Sequence, residues 1–135
     1  KAVAIKAENT IKMGGRPEHL ARRLGDWLRK EAKAEIQPRA QTMAAELDRK
    51  IGRITVRDTK SRWGSCAPNG NLSFCWRLIL TPEWVLDYVV AHEVSHLRHM
   101  DHSAAFWQTV AGFDVQVEAA RAWLNTNAEQ LQRYG

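Results

Sequence analysis

Cysteine is scarce in this chain of 135 residues, which contains only Cys66 and Cys75. Two cysteines are too few for the disulfide framework on which small secreted domains depend. The two thiols are close enough in sequence to pair across a hairpin, but we expect them to be reduced and buried. This cysteine usage favours a cytoplasmic protein.

The sequence also lacks any apolar run approaching the roughly 20 residues that a membrane-spanning helix needs. It contains no internal repeat and no low-complexity segment. Hydrophobic residues make up 44% and charged residues 26% of the chain, which excludes a disordered tail, a collagen-like fibre and a coiled coil. We therefore expect one globular domain over residues 1–135, with no membrane contact.

A strong charge of one sign is absent too, because the net charge is only +5. Arginine and lysine crowd the N-terminal third, but glutamates are interleaved with them. A helix face of mixed sign is usually just solvated, so the charge does not favour nucleic acid as a partner.

The N-terminal 50 residues predict a short strand at 2–5 followed by helices. Apolar residues recur at helical spacing from Pro17, a favoured first helical residue, to about residue 36. Pro38 is predicted to interrupt or kink this helix because it lacks an amide hydrogen. A second helical stretch then runs to about Lys50, and Gly52 ends it.

Residues from 53 onwards change to a strand pattern. The segment 54–56 is rich in β-branched residues, 58–70 is turn-like with its strongest turn signal at 68–71, and 72–80 predicts a returning strand. We expect these strands to form an antiparallel pair or the edge of a larger sheet.

Three helices are predicted after the strands. Thr81 is a capping residue for a helix from Pro82 to about His99. Ser103 caps a short helix that Gly112 ends, and a last helix covers about 115–124. The element order predicts an α+β fold with a small antiparallel sheet.

Four of the five histidines lie at positions 92, 96, 99 and 102. His92 and His96 are one helical turn apart on one face, so their imidazoles can bind one Zn²⁺ ion. Glu93 is adjacent to that face and can take a proton from a zinc-bound water. The His-Glu-x-x-His pattern therefore predicts a catalytic zinc site.

Such a site needs a third protein ligand, for which three residues are candidates. His102 follows His96 by six residues, as in the metzincin pattern, and lies beyond the predicted helix end. His99 shares the helix face but lies about 10 Å along the axis from His92. Glu118, on the last helix, is the alternative that glutamate-type zincins use.

Other residues near the motif have two interpretations each. Tyr88 lies one turn before His92 and either donates to an oxyanion or supports that histidine. Asp101 either orients a ligand imidazole or caps the following helix. The loop 62–66 is either a rim over the site or a structural loop packed by Trp63. Trp107, like most of the six tryptophans, is predicted to be a core residue.

The chain resembles the YgjP-like metal-dependent hydrolases, which are predicted zinc metallopeptidases of bacteria. Besides the zinc motif, four segments carry the resemblance: 57–66 (RDTKSRWGSC), 70–79 (GNLSFCWRLI), 87–91 (DYVVA) and 101–107 (DHSAAFW). The resemblance implies a minimal zincin fold, with His102 as the third ligand. It also implies that an N-terminal part of 1–50 precedes a catalytic core of 51–135 and that the chain is a C-terminal fragment of a longer protein.

Together these features favour a zinc metallopeptidase in which Glu93 activates water to attack a peptide bond. We expect an extended peptide or protein substrate to add as a strand near residues 71–76. One alternative is a DNA-associated protease of the SprT type. Another is a non-catalytic zinc-binding module whose fourth position is closed by Cys66 or Cys75.

Overall fold

The structure, a computed structural model, describes residues 17–134, with side chains from residue 22 onwards. The strand predicted at 2–5 lies outside the described residues. The elements are α1 (Pro17–Glu46), β1 (Ile54–Arg57), β2 (Gly64–Cys66), β3 (Leu72–Cys75), a 3₁₀ helix (Trp76–Leu80), α2 (Glu83–Ser95), α3 (Ala104–Ala111) and α4 (Val117–Gln132). This combination of helices with a small sheet confirms the α+β fold class.

Helix α1 runs through Pro38 without a break, so the predicted division into two helices is wrong. Ile36 and Ala40, on either side of the proline, are both fully buried, whereas Pro38 itself is exposed. The buried face continues along the helix and packs against β1, the 3₁₀ helix and α2. Burial of this continuous face offsets the hydrogen bond that proline removes.

The sheet is mixed, with strand order β1-β3-β2. Strands β2 and β3 form an antiparallel hairpin around a turn in which Gly70 has a φ of 90°. Strands β1 and β3 are parallel, with Ile54 opposite Leu72, so the antiparallel pairing expected between them is wrong. The reason is β2, an additional strand in the segment predicted as a turn, which reverses the chain direction once more before β3.

Strand β3 ends at Cys75, earlier than predicted, and the buried 3₁₀ helix follows it. The Thr81 hydroxyl donates to the Leu78 carbonyl at 2.6 Å, so it closes the 3₁₀ helix rather than capping α2. Helix α2 ends at Ser95, about one turn before the predicted end at His99. Ser103 accepts a hydrogen bond from the Phe106 amide and caps α3 as predicted.

Two arginines fix the helices around the sheet. Arg39 on α1 donates to Asp87 on α2 at 2.7 Å and to Glu35 at 3.0 Å. Arg77 is completely buried, where it pairs with Asp58 at 2.8 Å and donates to the Tyr134 carbonyl at 2.7 Å. Within the described range, none of the helices combines the length and apolar composition that a membrane span requires.

Candidate active site

Three histidines converge where α2 ends and the chain turns towards α3. His92 lies on the last turns of α2, His96 is its C-cap, and His102 comes just before α3. One ring nitrogen from each lies within 4.8 Å of the corresponding nitrogens of the other two. The group contains neither His99 nor Glu118. Because α2 stops at Ser95, the chain can fold back and place His102 beside the two helical histidines.

Two of the imidazoles have a partner for Nδ1. Nδ1 of His92 lies 3.3 Å from the Tyr88 hydroxyl, and Nδ1 of His96 lies 2.9 Å from the His99 carbonyl oxygen. A metal-binding histidine commonly engages its outer nitrogen in this way, which leaves Nε2 for the metal. His99 thus contributes its backbone rather than its ring, and Tyr88 lies where it supports His92.

Aromatic side chains of α3 hold the histidine rings in place. Phe106, which is fully buried, stacks on His96 with a centroid distance of 4.4 Å. Trp107 stacks on His102 at 5.9 Å. Trp107 is only half-buried, so the prediction of a core tryptophan is incomplete: this ring packs against the core and also forms a wall of the site.

The electrostatics favour neutral imidazoles at His92 and His96. Burial, reinforced by repulsion from His96, His102 and Arg121, lowers the pKa of His92 to about 4. Burial also lowers the pKa of His96, although the hydrogen bond to His99 opposes this shift. Neutral imidazole is the form that binds metals. With His102, these two residues make three imidazole donors, and no fourth protein ligand joins them among the residues that the structure describes. This is the donor set of a catalytic zinc site, so these residues fit a zinc ion.

Neither cysteine belongs to this group. Both thiols are free, and each donates to a backbone carbonyl, Cys66 to Ala67 at 3.5 Å and Cys75 to Thr59 at 3.4 Å. Burial and the nearby charge of Glu93 raise the pKa of Cys66 to about 11, which keeps the thiol protonated. Since zinc binds thiolates, this arrangement does not favour a closed, structural site.

Glu93 follows His92 on α2 and is buried, with 6% of its surface exposed. Burial raises the pKa of its carboxyl group to about 7, while the positive charge of Arg62 opposes the shift. Strand β2 packs on this side chain so closely that a Cβ atom at Gly64 would lie 3.1 Å from its Oε2 atom. A carboxyl group with this pKa is suited to accept and donate a proton near neutral pH.

The sequence did not predict that residues 64–66 form a strand against Glu93. The pattern of the loop 62–66 predicts only a rim or a structural loop, and its single glycine is the available signal for the close packing. The strand order also corrects the substrate location. Strand β3 is flanked by β1 and β2 on its two edges, so residues 71–76 offer no edge for an added strand.

A cavity of about 300 Å³ opens beside Glu93 and His92. Its wall includes the side chains of Arg62, Tyr88 and Arg121. The cavity therefore adjoins both the carboxyl group of Glu93 and the ring of His92.

Comparisons with known proteins agree with this geometry. The structure is similar to the metallopeptidase zymogen of Pyrococcus abyssi abylysin, with a TM-score of 0.58 and 19% identity over 72% of this chain and 95% of that chain. At this identity the likeness shows the fold. A comparison with curated proteins finds no match. The model of the YgjP-like family, described as a metallopeptidase domain, matches residues 1–127. Because this match covers nearly the whole sequence, the chain belongs to the YgjP-like metallopeptidase family.

Proposed function

We propose that this protein is a zinc-dependent peptidase in which His92, His96 and His102 bind the metal and Glu93 is the general base. The observation that carries the proposal is the position of Glu93. A buried carboxyl group with a pKa of about 7 lines the same cavity as His92, one of the three converging imidazoles. A purely structural metal site has no use for a carboxyl group poised in this way.

A zinc ion bound there supplies Lewis acidity, which acidifies water and polarises a peptide carbonyl. Glu93 takes the proton of the attacking water and then donates it to the leaving amine. Tyr88 and the His99 carbonyl orient the imidazoles of His92 and His96. Phe106 packs against the rings of all three histidines.

We place the substrate along β2 rather than along β3. In the described part of the chain β2 pairs only with β3, so its other edge is available for an extended peptide. Gly64 on this strand lies against Glu93, which brings a peptide bond on β2 next to the general base. A cytoplasmic location is also proposed, from the two free thiols.

Zinc removal and restoration test the proposal. The purified protein is expected to contain one zinc ion per chain and to cleave an unfolded protein such as reduced, alkylated casein. A chelator should abolish the cleavage, and one equivalent of zinc should restore it. Cleavage that persists in metal-free protein, or zinc-loaded protein that cleaves no peptide bond, would overturn the proposed function.

A further inference from the structure

The cavity beside Glu93 carries two positive charges that the proposed mechanism does not use. Arg62 lies in the loop before β2, and Arg121 lies on α4. Val89 and Leu124 supply apolar surface between them. Of the described residues that line this cavity, Glu93 alone carries a carboxyl group.

Both guanidinium groups act on the site. Burial raises the pKa of Glu93, and the charge of Arg62 opposes this shift; burial raises the pKa of Tyr88, and the charge of Arg121 opposes that shift. The guanidinium carbon of Arg121 lies 5.3 Å from the centroid of the Trp107 ring, a cation–π contact that fixes it at the cavity. Both arginines therefore project charge into the space where a substrate would lie.

Neither guanidinium group forms a salt bridge within residues 22–134, although the charge of Arg62 acts on Glu93. Arg39 and Arg77 form salt bridges with aspartates, whereas no salt bridge of Arg62 or Arg121 is present between residues 22 and 134. Other exposed arginines, such as Arg57, lack a salt bridge as well, so what distinguishes Arg62 and Arg121 is their shared position at the cavity beside Glu93 and His92. Their unpaired charges beside an apolar wall match the recognition of an anionic group from outside.

We propose that this cavity binds a carboxylate group of the substrate, and that Arg62 and Arg121 are its specificity-determining residues. The inference rests on the proposed peptidase function and names its substrate class: peptides with a carboxylate close to the cleaved bond. The carboxylate comes from an aspartate or glutamate side chain or from the peptide's C-terminus. A guanidinium presents paired donors that match the two oxygens of a carboxylate. A lysine or arginine side chain is repelled from the same cavity.

The test is a cleavage profile on a peptide library prepared from a digested proteome. The zinc-loaded wild-type protein should favour a carboxylate at one position next to the cleaved bond by roughly tenfold in kcat/KM over the matching amide. The Arg62→Gln/Arg121→Gln double variant should lose this preference. Arg57→Gln is the matched control, because Arg57 is an exposed arginine on the opposite edge of the sheet.

A second library with amidated C-termini distinguishes the two carboxylate sources. If the preference disappears on amidation, the C-terminus is recognised; if it persists, an acidic side chain is recognised. Absence of any preference, or a preference that the double variant retains, would overturn the inference while leaving the peptidase function intact.

Binding provides a readout that does not depend on turnover. A fluorescently labelled acidic peptide and its amide twin are titrated with the zinc-loaded Glu93→Gln variant, and anisotropy is measured. The acidic peptide should bind roughly tenfold more tightly, and adding the two arginine substitutions should remove the difference. Equal binding of the acidic peptide and its amide counterpart would overturn the inference even if the protein hydrolyses nothing.

Discussion

Gly64 lies directly against Glu93: a Cβ atom at position 64 would be 2.8 Å from the Cγ atom of the glutamate. Real Cβ atoms do not approach other atoms so closely, and Glu93 is too deeply buried to move away freely. Because position 64 has no side chain, β2 can pack directly against Glu93, the proposed general base.

Substitution of Gly64 by alanine should therefore displace the Glu93 side chain. Since a displacement of about 1 Å in a catalytic group can reduce a rate about a hundredfold, we expect kcat/KM to fall by roughly 10- to 100-fold. Zinc content should stay at one per chain, because the three atoms nearest to the new methyl group all belong to Glu93 and none to a histidine. Steady-state kinetics with metal analysis measures both, and unchanged kcat/KM would contradict the account.

Gly25→Ala is the matched control. Gly25 lies within α1, and a Cβ atom there would meet nothing within 4 Å. Alanine is a better helix former than glycine, so this variant should gain about 0.5–1 kcal/mol in the free energy of unfolding. Its kcat/KM should equal that of the wild type, and urea denaturation measures the stability.

The third metal ligand can be assigned with three single variants. His102→Ala removes a ring from the converging group and should weaken zinc binding by more than roughly 100-fold. His99→Ala should retain the affinity, because His99 acts through its backbone carbonyl, and Glu118→Gln should have no effect. Competition against a chelator measures the affinities. A large loss in Glu118→Gln with none in His102→Ala would place the site among those of glutamate-type zincins.

Tyr88→Phe tests the support of His92. The substitution removes only the hydroxyl that lies 3.3 Å from Nδ1, and loss of such an outer partner typically costs about 10- to 100-fold in metal affinity. Tyr134→Phe is the control, because the Tyr134 side chain is largely exposed and only its carbonyl binds Arg77. Equal zinc affinities in the two variants would contradict a supporting role for Tyr88.

The ion pair between Asp58 and Arg77 predicts how the free energy of unfolding depends on pH. The hydrogen bond from Arg77 lowers the pKa of Asp58 below the ordinary value of 3.8. The folded state therefore binds this proton less readily than the unfolded state, so the stabilisation is present above about pH 4 and is lost as the pH falls through the lowered pKa. Asp58→Asn leaves the buried Arg77 without its anion and should cost about 2 kcal/mol at pH 7. Urea unfolding of the wild type and of Asp58→Asn from pH 7 to pH 3 measures the difference in their free energies of unfolding. This difference should shrink as the pH falls, and a constant difference would contradict the account.

The sequence was sufficient to predict the parts of the site that lie close together along the chain. The spacing of His92, Glu93 and His96 depends only on helix geometry, and Ser103 marks the helix start that brings His102 back. The element types follow from local pattern, with β1 and α3 close to their observed bounds. These features are local, so a single sequence contains the necessary information.

The rest depends on contacts between distant segments. Strand β2 has no β-branched residue and forms because it pairs with β3 and packs on α2. Continuation of α1 through Pro38 depends on the surface that Ile36 and Ala40 bury. Arg121 reaches the cavity only because α4 packs on α2. No periodicity or spacing in one sequence reports such packing.

The central claim is that Glu93 is the general base beside a bound zinc ion, and Glu93→Gln tests it most directly. Glutamine preserves the shape of the side chain but cannot accept a proton at neutral pH. Glu83→Gln is the control, because Glu83 lies on the same helix and is exposed. The measurement is kcat/KM of both variants alongside their zinc content. The account predicts one zinc per chain in both and at least roughly 100-fold lower kcat/KM in Glu93→Gln alone. If zinc-loaded Glu93→Gln had the same kcat/KM as the wild type, the account would be contradicted.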